Sequence, residues 1–338
     1  MRKIILFILL INITYIFFSC GQESNKKPPK NTVSPNGLQE DLSKNQIPKF
    51  NSDSAFKYIE TQVEFGPRYI SSKGWNKCEK WITKKLSRYA DEVYVQKSPV
   101  TTYDGKRHEM RNIIASFRKE KSNRIALFAH WDTRHVADHD SINQKKPILG
   151  ANDGGSGVGV LIELARLLNE HPPHYGVDII LFDAEDYGQP QNSDFPIMED
   201  SYCLGSQYWS KNLYPKNYQS QVKFGVLLDM VGGKNATFYK EQVSLNYASG
   251  ITHKIWKKAN GLGFGNYFIN ETGASVIDDH LYVNMIAKIP TINIIEFDPY
   301  TKQHFNKHWH THNDNMDNID KSTLNAVGTT LLHIIYEE

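Results

Sequence analysis

Three short apolar runs in this chain each end in a carboxylate or a histidine, and that pattern constrains the fold more than any other feature. Ile125-Ala126-Leu127-Phe128-Ala129 leads into His130-Trp131-Asp132. Asp178-Ile179-Ile180-Leu181-Phe182 leads into Asp183-Ala184-Glu185-Asp186, and Gly225-Val226-Leu227-Leu228 into Asp229. Apolar runs of this length, ended by charged residues, read as strands buried on both faces. In open α/β sheets, ligand sites form outside the carboxyl ends of the strands. One acidic strand end is unremarkable. Three of them crowd carboxylates that repel one another, and a divalent cation is the natural compensation.

The rest of the chain supplies the helices such a sheet needs. Asn51 or Ser52 caps a helix carrying Phe56, Ile59 and Val63, which ends at Gly66-Pro67. A second runs from about Gly74 with Trp75, Cys78, Ile82 and Leu86 on one face; Trp75 and Trp81 read as packing residues. Further helices are expected over 158–168, 204–213 and 251–259, the last stopped by Gly261. Ser322 is expected to cap a final helix with Leu324, Val327, Leu331 and Ile335 as its stripe. Strands are expected over 112–117, 125–130, 177–182, 225–228 and 289–297. There is no internal repeat and no second linker. The alternation predicts an α/β single domain, with a central mixed, mostly parallel β-sheet flanked by α-helices and an antiparallel edge formed by the early strands.

The first residues do not belong to that domain. Arg2 and Lys3 precede an almost wholly apolar stretch from Ile4 to Phe18, broken by Asn12 and Thr14 and followed by Ser19-Cys20-Gly21. This reads as a signal peptide over 1–19, too short for a comfortable membrane span. A cysteine directly after the apolar run resembles a bacterial lipoprotein cleavage site, with Cys20 as the lipidated residue. Phe17 stands where leucine is usual. The segment 20–48 is polar and reads as a flexible tether, leaving 49–338 as the catalytic domain. The expectation is an exported, membrane-anchored lipoprotein facing the periplasm. Net charge is only +2 over 338 residues, with both signs interspersed, so no nucleic-acid partner is expected.

Besides Cys20, only Cys78 and Cys203 occur. They either pair or stay as buried thiols, and no CxxC knuckle is present. A metal must therefore be held by Asp, Glu and His. Two loops supply these. Gly150-Ala151-Asn152-Asp153-Gly154-Gly155-Ser156-Gly157 places Asp153 on a glycine-dense turn, where the backbone can approach a ligand closely. It lacks the GxxxxGK[ST] pattern of a phosphate loop. His308-Trp309-His310-Thr311-His312, flanked by Asp314 and Asp317, is the second; alone it could be an incidental surface cluster. One histidine with two carboxylates is a common ligand set for catalytic zinc, with a fourth position open.

The ordered set of motifs is similar to the zinc aminopeptidase superfamily, and within it to the glutaminyl-peptide cyclotransferases, or glutaminyl cyclases. The likeness rests on His130-Trp131-Asp132-Thr133-Arg134, Asn152-Asp153-Gly154, Phe182-Asp183-Ala184-Glu185-Asp186, Asp229, Asp278-Asp279-His280 and Trp309-His310-Thr311. It covers about Phe50 to Glu338. The resemblance implies one zinc per chain on Asp153, Asp186 and His310, with Glu185 as general acid/base. It makes Asp229 and Asp278 partners in proton transfer. Trp309 and Phe305 become pocket walls, with His130 beside the substrate. The implied substrates are peptides and proteins with N-terminal glutamine, cyclised to pyroglutamate with loss of ammonia. The animal enzymes have Glu at the place of Asp186 and a pocket tryptophan shortly after it. Here Tyr187-Gly188-Gln189-Pro190 follows, with Tyr187 as the candidate substitute. The place of a cysteine before the first strand-end histidine is held by Ala129, so the animal disulfide there is not expected.

Other roles stay open at this point. His130 is either a second-metal ligand or a satisfied partner of a carboxylate. Asp279 would cap a helix if Asp278 is the functional one of the pair. The alternative function is a zinc aminopeptidase, with a second metal on His130 and Asp229 and with Glu185 activating water. Trp131 and Trp309 beside the ligands would narrow the site and so favour the cyclase.

Overall fold

The computed structural model describes residues 47–338; the expected signal peptide, Cys20 and nearly all of the tether lie outside them. Six strands form one sheet. They are β1 (Glu92–Thr101), β2 (Arg107–Phe117), β3 (Arg124–His130), β4 (Gly176–Phe182), β5 (Val222–Asp229) and β8 (Thr291–Ile295), in the order β1-β2-β4-β3-β5-β8. The ladders from β4 through β3 and β5 to β8 are parallel, and those of β1 with β2 and β2 with β4 are antiparallel. The sheet is thus mixed and mostly parallel, with the antiparallel edge at its amino-terminal side. A small second sheet pairs β6 (Phe238–Lys240) with β7 (Phe268–Thr272).

Strands β3 and β4 are buried at every position, because helices cover both faces. Ile125, Leu127 and Ala129 enter one core with helices α1 (Ser52–Glu64), α3 (Ser156–Glu170) and α7 (Lys321–Glu337). Ala126 and Phe128 point the other way, into a second core with Trp209 of α4 (Leu204–Lys211) and Val283. The remaining helices are α2 (Lys73–Leu86), α5 (Gln242–Gly261) and α6 (Asp279–Tyr282), the last followed by a π-turn over Val283–Ala287. Because β3, α3 and β4 form a parallel crossover, the glycine-dense loop before α3 is brought to the carboxyl edge of the sheet.

Several local expectations change. Strand β1 adds to the expected strands; it is half exposed and carries Pro99, and proline is tolerated there because β1 is an edge strand. Helix α5 begins at Gln242, well before the expected start, where the Glu241 side chain accepts from the amides of Val243 and Ser244. Its first half lacks an apolar stripe, and Ala248 breaks its helical dihedrals. The left-handed glycine after it is Gly263 (φ +88°), not Gly261. Helix α1 is capped by Asn51, which accepts from the Ser54 amide at 3.0 Å. Helix α7 is capped by Asp320, whose Oδ1 accepts from the Ser322 amide at 2.8 Å, so Ser322 lies inside the helix. Asp320→Ala is expected to cost about 1 kcal/mol, readable as a lower denaturant midpoint with unchanged slope. Cys78 and Cys203 are both buried and unpaired.

Candidate active site

The three punctuated strands end side by side, and their terminal residues meet. His130 closes β3 and Asp229 closes β5, and His130 Nε2 lies 3.1 Å from both Asp229 Oδ1 and Asp153 Oδ1. His310 Nε2 lies 3.2 Å from Asp186 Oδ1 and 3.7 Å from Asp153 Oδ2. Among the groups of potential ligands that result, two share Asp153: Asp153 with Asp186 and His310, and Asp153 with His130 and Asp229. Within each, the donor atoms lie no more than 4.8 Å apart. Asp153 belongs to both.

The chain turns sharply to achieve this. Ala184, Met230 and His310 all have left-handed φ, between +49° and +56°, which costs a residue with a β-carbon about 1–2 kcal/mol. Such strain persists where surrounding contacts over-determine it, typically at functional sites. The turn after β4 is fixed by Asp183. Its Oδ1 accepts from the indole of Trp75 at 2.9 Å, and its Oδ2 from the Arg111 amide at 2.7 Å. At Gly154 (φ +79°) a β-carbon would sit 2.1 Å from the Asp132 carbonyl oxygen, so the glycine is required there both by space and by backbone angle.

Residues outside these two groups hold the loops in place. Asp132 accepts from the amides of Glu185 and Asp186 at 3.0 and 3.1 Å. Asp314 accepts from the amides of Asn152 and Asp153 at 2.7 and 3.0 Å. Asp138 Oδ1 stands 3.2 Å from Nδ1 of His310, and the guanidinium of Arg134 donates to Asp138 Oδ2 at 2.6 Å and to the carbonyl of Asp186 at 2.9 Å. A carboxylate behind an imidazole is the usual way a metal-binding histidine is oriented. Asp132 and Arg134 carry a sequence signal, since they sit in the stretch after β3. Asp138 carries none.

A cavity of about 440 Å³ opens beside the first group. Glu185, Asp229 and Asp278 line it, as do Trp309 and Phe305, whose rings lie 4.8 Å apart. Trp309 also stacks on His310, with ring centroids 3.8 Å apart. Three residues stand elsewhere than expected. His130 does not line the cavity but lies behind Asp153 and Asp229, so the geometry offers it no substrate contact. Trp131 is fully buried and stacks on Trp75 at 5.7 Å, so it does not narrow the site. Tyr187 turns away to stack on His135 at 3.9 Å. The aromatic residue on that side of the cavity is Tyr202, admitted by Gly188, where a β-carbon would meet the Tyr202 ring at 2.2 Å. Asp278 is both cavity wall and N-cap of α6: it accepts from the Asp279 amide at 2.5 Å and, through Oδ2, from Asn293 at 2.6 Å. The capping role thus falls to Asp278, and Asp279 is buried behind it.

The electrostatics fit a bound cation. Burial, then the neighbouring Asp186 carboxylate, pushes Asp153 up to about 7. Burial likewise raises Glu185 well above the carboxylate range, and burial with Asp229 raises Asp278 to about 6. Burial disfavours the charged imidazole of His310, but Asp186 outweighs it and its pKa is raised. Every shift answers an excess of negative charge away from water. Asp153 Oδ2 and Asp186 Oδ2 are buried with no hydrogen-bond partner, an arrangement that costs free energy unless something binds them. Two carboxylates and an imidazole with free acceptor atoms are a donor set suited to zinc.

The fold and this edge-of-sheet donor set define a zinc-dependent α/β enzyme. The family model described as "Peptidase family M28" matches residues 112–335, and the chain belongs to that family. Solved structures are similar over nearly the whole chain. A glutaminyl cyclase of Tannerella forsythia is 49% identical, with TM-score 0.84, over 86% of this chain and all of that one. A Zn-dependent exopeptidase of Parabacteroides distasonis is 48% identical, with TM-score 0.84, over 87% of this chain and all of that one. An aminopeptidase of Bacillus subtilis is 30% identical over 213 residues, 62% of this chain but only 41% of that longer protein.

Proposed function

We infer that this chain is a zinc-dependent glutaminyl-peptide cyclotransferase, converting N-terminal glutamine of peptides and proteins to pyroglutamate with release of ammonia. The observation that carries this is the cavity itself. Two aromatic walls, Trp309 and Phe305, stand beside the carboxylates of Glu185 and Asp278, in a chain 49% identical to a cyclase along that protein's full length. The reaction joins the substrate's α-amine nitrogen to its own side-chain amide carbon and breaks the bond from that carbon to the amide nitrogen. No protein nucleophile is needed.

Asp153, Asp186 and His310 would hold the zinc, which supplies Lewis-acid polarisation of the amide carbonyl when bound. Glu185 takes a proton from the attacking amine and returns one to the departing nitrogen. Its raised pKa suits a group that must both accept and donate. Asp278 and Asp229 face the same space and anchor the amine and the leaving ammonia. Trp309 and Phe305 hold one slender side chain in line for ring closure. Purified protein is expected to release ammonia from a Gln-initiated peptide, to stop after chelation and to recover with zinc. No release from that peptide, alongside cleavage of an aminopeptidase substrate, would reverse the assignment.

The second reading, a two-metal aminopeptidase, is favoured by one observation. The group of His130, Asp153 and Asp229 has the compactness of a second metal site.

A further inference from the structure

Cys203 is the residue at the N-cap of helix α4, and it is absent from the reaction described above. Its backbone is in the left-handed region (φ +56°), which glycine adopts freely and residues with a β-carbon do not. Two backbone bonds tie this corner to the turn after β4: the Cys203 amide donates to the Glu185 carbonyl at 3.0 Å, and the Leu204 amide to the Ala184 carbonyl at 3.1 Å. The side chain points the same way. Cys203 Sγ lies 3.3 Å from Glu185 Oε1, and both stand in one cluster with Asp278. Among the described residues, no other side-chain or backbone group donates a hydrogen bond to the Glu185 carboxylate. His130 Nδ1 is 3.9 Å from the opposite oxygen, Oε2, beyond hydrogen-bond distance.

We propose that Cys203 is a positioning residue for the reaction, its thiol donating to Oε1 of Glu185 and so fixing the orientation of that carboxylate at the cavity. The proposal rests on Glu185 being the acid/base. The chemistry suits the task. A carboxylate that shuttles a proton must be held without being strongly stabilised in its charged form. A thiol is a weak donor, so it fixes the rotamer while taking little basicity away. Burial and the surrounding carboxylates push the Cys203 thiol well up, so it stays protonated and keeps the hydrogen it donates. Its full burial also makes it a poor nucleophile.

The test compares Cys203→Ala and Cys203→Ser in the full zinc-loaded chain. Both keep the β-carbon, so both keep the backbone cost. Cys203→Ala is expected to lower kcat about 10-fold with KM within about twofold, since a misdirected catalytic group loses part of the 10²–10⁴ that acid–base catalysis supplies. Cys203→Ser, which restores a donor, is expected to recover most of that loss. The S–H stretching band in the infrared gives a readout independent of turnover. It should shift when Glu185→Gln replaces the carboxylate, and it is assigned by its disappearance in Cys203→Ala. Unchanged kcat in folded Cys203→Ala, or an S–H band indifferent to Glu185→Gln, overturns the proposal. A shifted band in a protein that does not cyclise Gln-peptides would instead overturn the cyclase assignment and leave the thiol–carboxylate contact standing.

Discussion

Glu185→Gln lowers kcat for Gln-peptide cyclisation by about 10² to 10⁴, the range general acid–base catalysis contributes, while zinc content stays at the wild-type level. Two neighbouring carboxylates face different partners. Asp186 presents Oδ1 to His310 at 3.2 Å and belongs to the ligand group. Glu185, one residue earlier, presents its carboxylate to the cavity and to Cys203. The amide replacement has the same shape and still accepts from the thiol, so the Asp132 bonds that hold the Glu185 and Asp186 amides are untouched. What it removes is a group that can accept a proton from one nitrogen and deliver one to another. Ammonia release under saturating peptide measures the loss, and metal analysis of the same preparation measures zinc. Turnover at the wild-type rate would remove Glu185 from its role. Loss of zinc along with activity would make it a ligand instead.

How the strand ends would converge was legible in the sequence because it follows from two local rules. Buried parallel strands read as apolar runs, and their carboxyl ends share one edge of the sheet. Asp153, Asp186 and His310, which come from three separate loops, therefore fall within 4.8 Å of one another. Side-chain direction beyond the first residues of each loop was not legible. Trp131 and Tyr187 neighbour site residues in sequence, yet each turns into packing, Trp131 onto Trp75 and Tyr187 onto His135. Tyr202 reaches the cavity from a more distant loop because Gly188 leaves room for its ring. Asp138, Asp314 and Cys203 lie on turns with no periodic pattern, so only the folded chain reveals that they meet His310, the Asp153 amide and Glu185. Strand β1 went unread for a related reason: an edge strand open to water on one side need not carry the apolar run that marks a buried one.

Asp153→Ala is expected to abolish both zinc binding and turnover, with kcat/KM down by about 10³ or more, since a catalytic metal supplies several kcal/mol of charge stabilisation. Asp153 is the residue on which both readings of the site depend. Its Oδ1 is 3.1 Å from His130 Nε2 and its Oδ2 is 3.7 Å from His310 Nε2, so it is common to the two ligand groups and its loss dismantles either. The contrasting variant is Asp229→Asn. Asp229 closes β5 and sits 3.1 Å from His130, which makes it a ligand only if a second metal is bound. In a one-metal cyclase, Asp229→Asn keeps its zinc and weakens turnover through poorer anchoring of the amine. In a two-metal aminopeptidase it sheds one of two ions. Metal analysis of wild type, Asp153→Ala and Asp229→Asn therefore yields one, none and one zinc per chain for a one-metal cyclase. Values of two, none and one would instead place the second ion on His130 and Asp229, and with it hydrolysis in place of cyclisation.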